Sequence, residues 1–285
     1  MTSSQVVGFM RRLTGEKRVG HAGTLDPEAA GVLPIMAGRA ARLFDYLVDK
    51  EKSYVAECAF GCRTDTQDAQ GTVIETGTDY PSLDRVRAAA GQLTGDILQR
   101  PGMYSAIKKD GKPMYLRARQ GETVEVPERL VHVERLEILA EMPDHGFMMQ
   151  VDCGRGTYIR SICEDLGHLC GCPAHMRFLL RTRSGFFTIR DAITLEEASA
   201  AARENRLDSY AVPVDAPLQH LRAVHVPESF ARLAANGAAL PVQMLAGQNV
   251  KDAEILRVYL GNAFLGLAGR DGEWIRWKVL FPQND

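Results

Sequence analysis

A membrane-spanning segment is the first thing this chain lacks: nowhere in its 285 residues do about 18 apolar residues follow one another, as a bilayer-crossing helix requires. The opening Met1-Thr2-Ser3-Ser4-Gln5 carries no basic stretch followed by an apolar one, so no secretory leader is read there and a cytoplasmic protein is expected. Clustered cysteines are lacking as well. Cys58, Cys62, Cys153, Cys163, Cys170 and Cys172 lie scattered through apolar segments of a chain large enough to fold without disulfides, and they read as reduced thiols. Cys170, Cys172 and His175 stand close together but match no zinc spacing. The Asp65 to Gly71 stretch lacks the alternating ligands and distant glutamate of a calcium loop, so no metal is expected. Internal repeats are also absent.

Strong charge of either sign is missing, since the formal net charge is -2, and a globally basic nucleic-acid binder is thereby excluded. The distribution is uneven, however. Between Arg100 and Arg119 six basic residues (Arg100, Lys108, Lys109, Lys112, Arg117 and Arg119) face the single acid Asp110. A second cluster, Arg177, Arg181, Arg183 and Arg190, has no acid between its members, whereas the part after Arg190 is acidic on balance. Positive charge is thus concentrated where a phosphate backbone could be gripped, although either patch alone also suits a plain solvated face. With 45% hydrophobic and 25% charged residues, the chain can bury a substantial core, and one large domain with a small one is expected.

What is present is a loop built to display one acid: Gly20-His21-Ala22-Gly23-Thr24-Leu25-Asp26-Pro27-Glu28-Ala29-Ala30-Gly31. Its glycines permit turns that a Cβ would forbid, and Pro27 biases Asp26 toward extended backbone. A carboxylate held this way can meet a ligand, but the same residues suit an Asx-type turn. The loop lacks the lysine and Ser/Thr of a phosphate-binding P-loop, which disfavours a phosphate-binding hydrolase.

Ser3 or Ser4 can cap a short helix with Val6, Val7, Met10 and Leu13 on one stripe. Leu43, Phe44, Leu47 and Val48 recur at helical spacing, and Lys52 to Gly61 alternates so that Tyr54, Ala56, Cys58 and Phe60 share one strand face. Leu83 to Leu98 reads as a helix with a Gly95-Asp96 exit, and Phe147 to Cys153 as a strand before the Gly154-Arg155-Gly156 turn. Ile159, Ile162, Cys163, Leu166 and Leu169 form a further helical stripe ended by Gly171 and Pro173, which places Tyr158 and Arg160 where a strand gives way to a helix. Thr194 with Glu197 predicts a capping box for a helix running to about Leu207. The Pro213, Pro217 and Pro227 spacing beyond that helix reads as a linker, and a boundary near residue 220 is expected. Short alternating runs at Ile255 to Leu260 and Trp274 to Phe281 then suggest a small β-barrel. Helices and strands mix without regular βαβ alternation, which favours an α+β protein.

Four segments together resemble the bacterial tRNA pseudouridine synthase family known as TruB: GHAGTLDPEAAGVLPI (Gly20 to Ile35), KSYVAECAFGCRTDTQDAQG (Lys52 to Gly71), PGMYSAIKKDGKPMYLRARQG (Pro101 to Gly121) and GRGTYIRSICEDLG (Gly154 to Gly167). They occur in family order, which makes the resemblance far more specific than one short pattern. It implies a mixed, mainly antiparallel sheet in a synthase domain over 1–219, a small PUA-like RNA-binding domain over 220–285, and isomerisation of uridine 55 in the tRNA T-loop without metal or organic cofactor. Asp26 matches the family's catalytic aspartate and Arg160 the arginine that pairs with it; a nearby guanidinium keeps a sheltered carboxylate ionised. Tyr54 matches the active-site tyrosine, whose ring can stack on the base and whose hydroxyl can handle a proton. Tyr158 matches a second pocket aromatic, Leu179 an apolar residue lining the base pocket, and His21 a histidine used against splayed T-loop bases. Asp68 reads either as part of the charge network around Arg160 or as a surface turn acid. The Arg100 to Arg119 segment, with Lys108, Lys109, Met103 and Tyr104, corresponds to the part that clasps the T-arm, mixing cations for phosphates with aromatic groups for unpaired bases. The implied partner is tRNA, bound by a monomer with no obligatory protein partner and no membrane. Upstream of the stretch matched by Thr2-Ser3-Ser4, the family carries a strand and a Lys-Pro-x-Gly motif. Their absence is expected to expose a sheet edge and leaves, as the alternative, a protein that binds and refolds the T-arm without turnover.

Overall fold

A computed structural model describes residues 1–47, 51–102, 108–109, 112–114, 127–245 and 249–281, with only the backbone of Lys108, Lys109, Lys112 and Pro113. Its contacts divide the chain into two compact units: Met1–Ser3, Thr24–Pro34 and Asp49–Ala192 in one, and Ser4–Gly23, Ile35–Val48 and Ile193–Asp285 in the other.

The first unit is built on a seven-stranded sheet. Lys52–Phe60 lies near its middle, flanked antiparallel by Gly146–Cys153 on one side and Ala174–Ser184 on the other. Arg129–Met142 and then Gly95–Gln99 extend the sheet one way, and Phe187–Thr188 borders it at the other end. The two-residue strand Ala30–Gly31 pairs parallel with Leu180–Arg181. The helices Leu83–Gln92 and Ile159–Leu169 contribute Val86, Ala89, Ile162, Cys163 and Leu166 to the core, where they join Ala56, Cys58, Phe60 and Met149 from the strands. Of the apolar stripe read from the sequence, the Ile159–Leu169 helix buries Ile159, Ile162, Cys163 and Leu166, whereas Leu169 at its end is exposed. The expected alternation of Tyr54, Ala56, Cys58 and Phe60 likewise places all four in that core.

Two local readings are corrected. The predicted helix over Leu83 to Leu98 ends at Gln92, and Gly95–Gln99 is a strand. Gly95 turns the chain with φ +91°, and Ile97 and Leu98 then find strand partners in Val131 and Leu130, which outweighs helical propensity. The Thr194 helix ends at Arg203, four residues short of Leu207, although both halves of the capping box form. Two long strands, Arg129–Met142 and Ala174–Ser184, go unread in the sequence: a bulge between Val133 and Arg135 shifts the alternation of the first, and buried His175 and Arg181 interrupt the apolar face of the second.

The second unit holds the helix Ser3–Thr14 from Ser4 onward, a small ladder of Val19–His21 with Ile35–Ala37, the helix Leu195–Arg203, and a five-stranded sheet. In that sheet Ile255–Leu260, Ala263–Asp271 and Trp274–Leu280 form an antiparallel meander, with Arg222–His225 parallel on one edge and Leu240–Pro241 on the other. Val224, Leu256, Val258, Leu265 and Ile275 fill its interior. No helix among the described residues is long and apolar enough to cross a membrane.

Candidate active site

Asp26 is gripped by one guanidinium. Arg160 Nε stands 3.0 Å from Asp26 Oδ2, and its terminal nitrogen donates to Asp26 Oδ1 at 3.1 Å, the two-pronged geometry that suits a planar fork meeting a carboxylate. The Arg160 side chain is only 7% exposed, whereas that of Asp26 is 34% exposed. The cation is therefore sealed in while the anion keeps a face open. Arg160 also donates to the Thr66 carbonyl at 3.2 Å, and Asp68 lies 3.9 Å from it.

The sequence explains this placement. Arg160 is the second residue of the Ile159–Leu169 helix, whose entry is fixed by Gln99 on the neighbouring strand. Wholly buried, Gln99 donates to the Tyr158 carbonyl at 2.9 Å and accepts from the Tyr158 amide at 2.7 Å, so both backbone groups of the capping residue are satisfied. On the acid's side, Ser3 Oγ accepts from the Leu25 amide at 2.9 Å and donates to its carbonyl at 3.2 Å. Ser3 thus fastens the residue next to Asp26 rather than capping its own helix. Asp26 itself begins a turn closed by the Ala29 amide at 3.0 Å. Gly31 ends the loop at φ +105°, where an added Cβ would meet the Arg181 carbonyl oxygen at 2.2 Å. Only glycine permits that approach, which the Val32 amide exploits by donating to the same carbonyl at 2.9 Å.

Tyr54 is 7% exposed and sits opposite Arg181 in the sheet register, with Leu179 opposite Ala56, so all four side chains point to one face. Burial pushes the Tyr54 phenol up to about 12; the Arg181 guanidinium, hydrogen-bonded to it, works against that rise, while Cys153 and Asp26 add to it. Arg181 is 1% exposed, and burial draws it below its ordinary value, opposed by Tyr54 and Asp26. Its Nε donates to the Val32 carbonyl at 2.7 Å and a terminal nitrogen donates to the Thr24 carbonyl at 3.3 Å. The reading of Arg181 as a phosphate-gripping cation is overturned by this burial. Its neighbours are engaged as well: Arg177 pairs with Glu57 at 2.9 Å, and Arg183 bonds Ser53 at 3.0 Å. Cross-strand pairing supplies the partners that a linear reading cannot see.

The structure therefore brings Asp26, Arg160 and Asp68 together, with Tyr54 electrostatically coupled to Asp26 and Leu179 in the same buried cluster as Tyr54. Asp68 fits both of its readings, since besides approaching Arg160 its carboxylate makes the within-turn bonds of a turn acid, accepting from Thr66 Oγ1 at 2.6 Å and from the Gln70 amide at 3.1 Å. Tyr158 stands at the helix entrance as the capping residue. His21 belongs to the other unit, in the Val19–His21 strand, where it helps line an open cavity with Ser4, Val7, Arg11 and Met36. Lys108 and Lys109 form a two-residue strand paired with Lys112–Pro113; their side chains, together with Met103, Tyr104, Arg117 and Arg119, lie outside the described residues. Arg100, the first member of that basic segment, pairs with Glu128 at 3.0 Å. His175, close in sequence to Cys170 and Cys172, turns its Nδ1 to Cys62 instead. Sequence reasoning misses Gln99 and Ser3 and misassigns Arg181; reading Ala174–Ser184 as a strand places Arg181 on the face of Leu179, two residues earlier.

Comparison with known proteins gives the family. The family described as TruB family pseudouridylate synthase (N terminal domain) matches residues 11–159, and the tRNA pseudouridylate synthase B C-terminal domain matches residues 160–219. The tRNA pseudouridine synthase B of Clostridioides difficile (strain 630) is 38% identical over 271 residues, covering 94% of this chain and 90% of its own. That of Bacillus subtilis (strain 168) is 39% identical over 246 residues, covering 84% and 80%. Among solved structures, one titled "Crystal Structure of a Cbf5-Nop10-Gar1 Complex" superposes with a TM-score of 0.74 at 24% identity, covering 97% of this chain and 80% of that one, a likeness of fold. A bidentate Asp26–Arg160 pair beside a buried tyrosine, in a chain that these matches span almost end to end, makes this protein a member of the TruB family of pseudouridylate synthases.

Proposed function

We propose that this chain isomerises uridine 55 in the T-loop of tRNA to pseudouridine, with Asp26 as the catalytic carboxylate. The observation that carries the reading is the pairing of Asp26 with Arg160, which holds the carboxyl group in place and partly open while its counter-ion is buried. The reaction balances within the nucleotide: the bond from N1 to the sugar breaks, a bond from C5 to the sugar forms, C5 loses a proton and N1 gains one. An anion at the sugar or base assists the bond cleavage, and a neutral phenol at Tyr54 can relay a proton.

In this reading Tyr158 and Leu179 border the base, Asp68 steadies Arg160, His21 meets the T-loop bases, and Lys108 and Lys109 contact phosphates. Residues 1–219 carry the chemistry, and 220–285 form a small PUA-like domain that adds RNA contact; the protein works as a cytoplasmic monomer. Extruding the target base costs a few kcal/mol, which contacts along the T-arm offset. The test is to incubate the protein with an unmodified tRNA transcript and with one carrying cytidine at position 55, then map pseudouridine by position. Product at 55 in the first transcript alone is the expected result. Binding of tRNA without product at any position would favour the T-arm binding protein instead.

A further inference from the structure

We propose that Arg181 is a positioning residue for this reaction: its buried guanidinium fixes the backbone on both sides of Asp26 and, at the same time, the phenol of Tyr54. The inference rests on the proposed isomerisation and adds a residue whose place in the sequence suggests RNA binding. Its geometry is specific. Arg181 donates to Thr24, two residues before Asp26, and to Val32, six residues after it, so one side chain spans the whole acid-bearing turn. The Arg181 main chain reinforces this by accepting from the Val32 amide, at the approach that Gly31 makes possible.

The third contact gives the arrangement a direction. A guanidinium has donors only, so in its bond with Tyr54 the phenolic oxygen must accept. The Tyr54 hydroxyl hydrogen is then directed away from Arg181, the orientation a proton donor to a nucleotide requires. A cation that is 1% exposed is a costly way to fill a sheet core, where an apolar residue of similar size serves stability as well or better. Holding two reacting side chains in one frame is a reason to keep it.

Steady-state kinetics on tRNA with Arg181→Met and Arg181→Lys test the proposal, with thermal melting to confirm that each variant is folded. For Arg181→Met the expected result is a fall in kcat of about 100-fold or more, with KM for tRNA within about threefold of the parent. Arg181→Lys should recover about tenfold of that loss, because an ammonium keeps the charge by Tyr54 but cannot span both carbonyls. A folded Arg181→Met with parental kcat, altered only in melting temperature, would overturn the proposal. Should Arg181→Met not fold, Arg181→Lys decides alone, and a kcat within about threefold of the parent contradicts the assignment. If the parent itself makes no pseudouridine, the proposed function has failed and this inference with it; parental activity with unaffected variants removes only Arg181.

Discussion

Two carboxylates and two guanidiniums meet around the acid-bearing turn, and their unequal exposure assigns their work. Arg160 is sealed beneath Asp26, so in the proposed reaction it acts through the anion's charge and direction and not by gripping RNA. Replacing it by methionine removes the fork and leaves Asp26 and Asp68 without their shared counter-ion. Turnover at saturating tRNA is expected to fall by at least about 100-fold with little change in tRNA affinity, which kinetics and filter binding can separate. A nearby acid behaves differently. Burial, aided by Glu164 and opposed by His168, raises Asp165 to about 6. A carboxyl raised in the folded state makes the fold lose stability as pH rises through the interval from its ordinary value to about 6, because the folded form holds the proton longer. Asp165→Asn should therefore stabilise the protein at pH 7.5 by about 1–2 kcal/mol, allowing for the residue's partial exposure, and not at pH 3.5. Equal melting shifts at both pH values would contradict this.

At the scale of elements, the helix entrance at Tyr158 depends on one glutamine from the Gly95–Gln99 strand. Gln99→Leu would take the side-chain acceptor from the Tyr158 amide, at about 1–3 kcal/mol, while the Tyr158 carbonyl keeps the Ile162 amide of the helix's first turn. Because Arg160 follows two residues later, the expected outcome is a lowered melting temperature together with a lower kcat, measured on the folded fraction. An unchanged kcat would mean that the helix start is held by other contacts. This strand also marks where the sequence is hard to read. The Leu83 to Leu98 pattern suits a helix, and only the cross-strand partners Val131 and Leu130 convert its end to a strand. The Ile159–Leu169 helix and the capping box at Thr194 are legible, because each is fixed by residues three or four apart. Arg181 is not, since its burial depends on Tyr54, Thr24 and Val32, all more than a hundred residues away in the chain.

For the whole molecule, a formal charge of -2 sets a polyanionic substrate against a slightly anionic protein, so binding must come from local cations. Arg177 and Arg181 are occupied internally, and Arg100 is tied to Glu128. The proposed phosphate contacts of Lys108 and Lys109 can be tested on this basis. Affinity for tRNA should drop by about tenfold or more between about 50 and 200 mM salt. Lys108→Ala with Lys109→Ala should reduce the salt slope by about one for each phosphate that is no longer neutralised, while kcat at saturating tRNA stays near the parental value. A slope unaltered by the double change would move the phosphate-binding cations elsewhere. The acid-bearing loop is the most legible part of the site, because glycine, proline and aspartate at fixed spacing constrain backbone directly. Its partners are legible only through resemblance, and their geometry comes from the fold.

The central claim is that the Asp26 carboxylate, held open by buried Arg160, performs the chemistry. The most direct measurement is position-resolved mapping of pseudouridine in tRNA exposed to the parent and to Asp26→Asn, with tRNA binding measured on the same preparations. The predicted result is full conversion at position 55 by the parent, none by Asp26→Asn, and similar binding by both, since the amide keeps the shape and removes the anion. Conversion by Asp26→Asn at a rate near the parent's would contradict it.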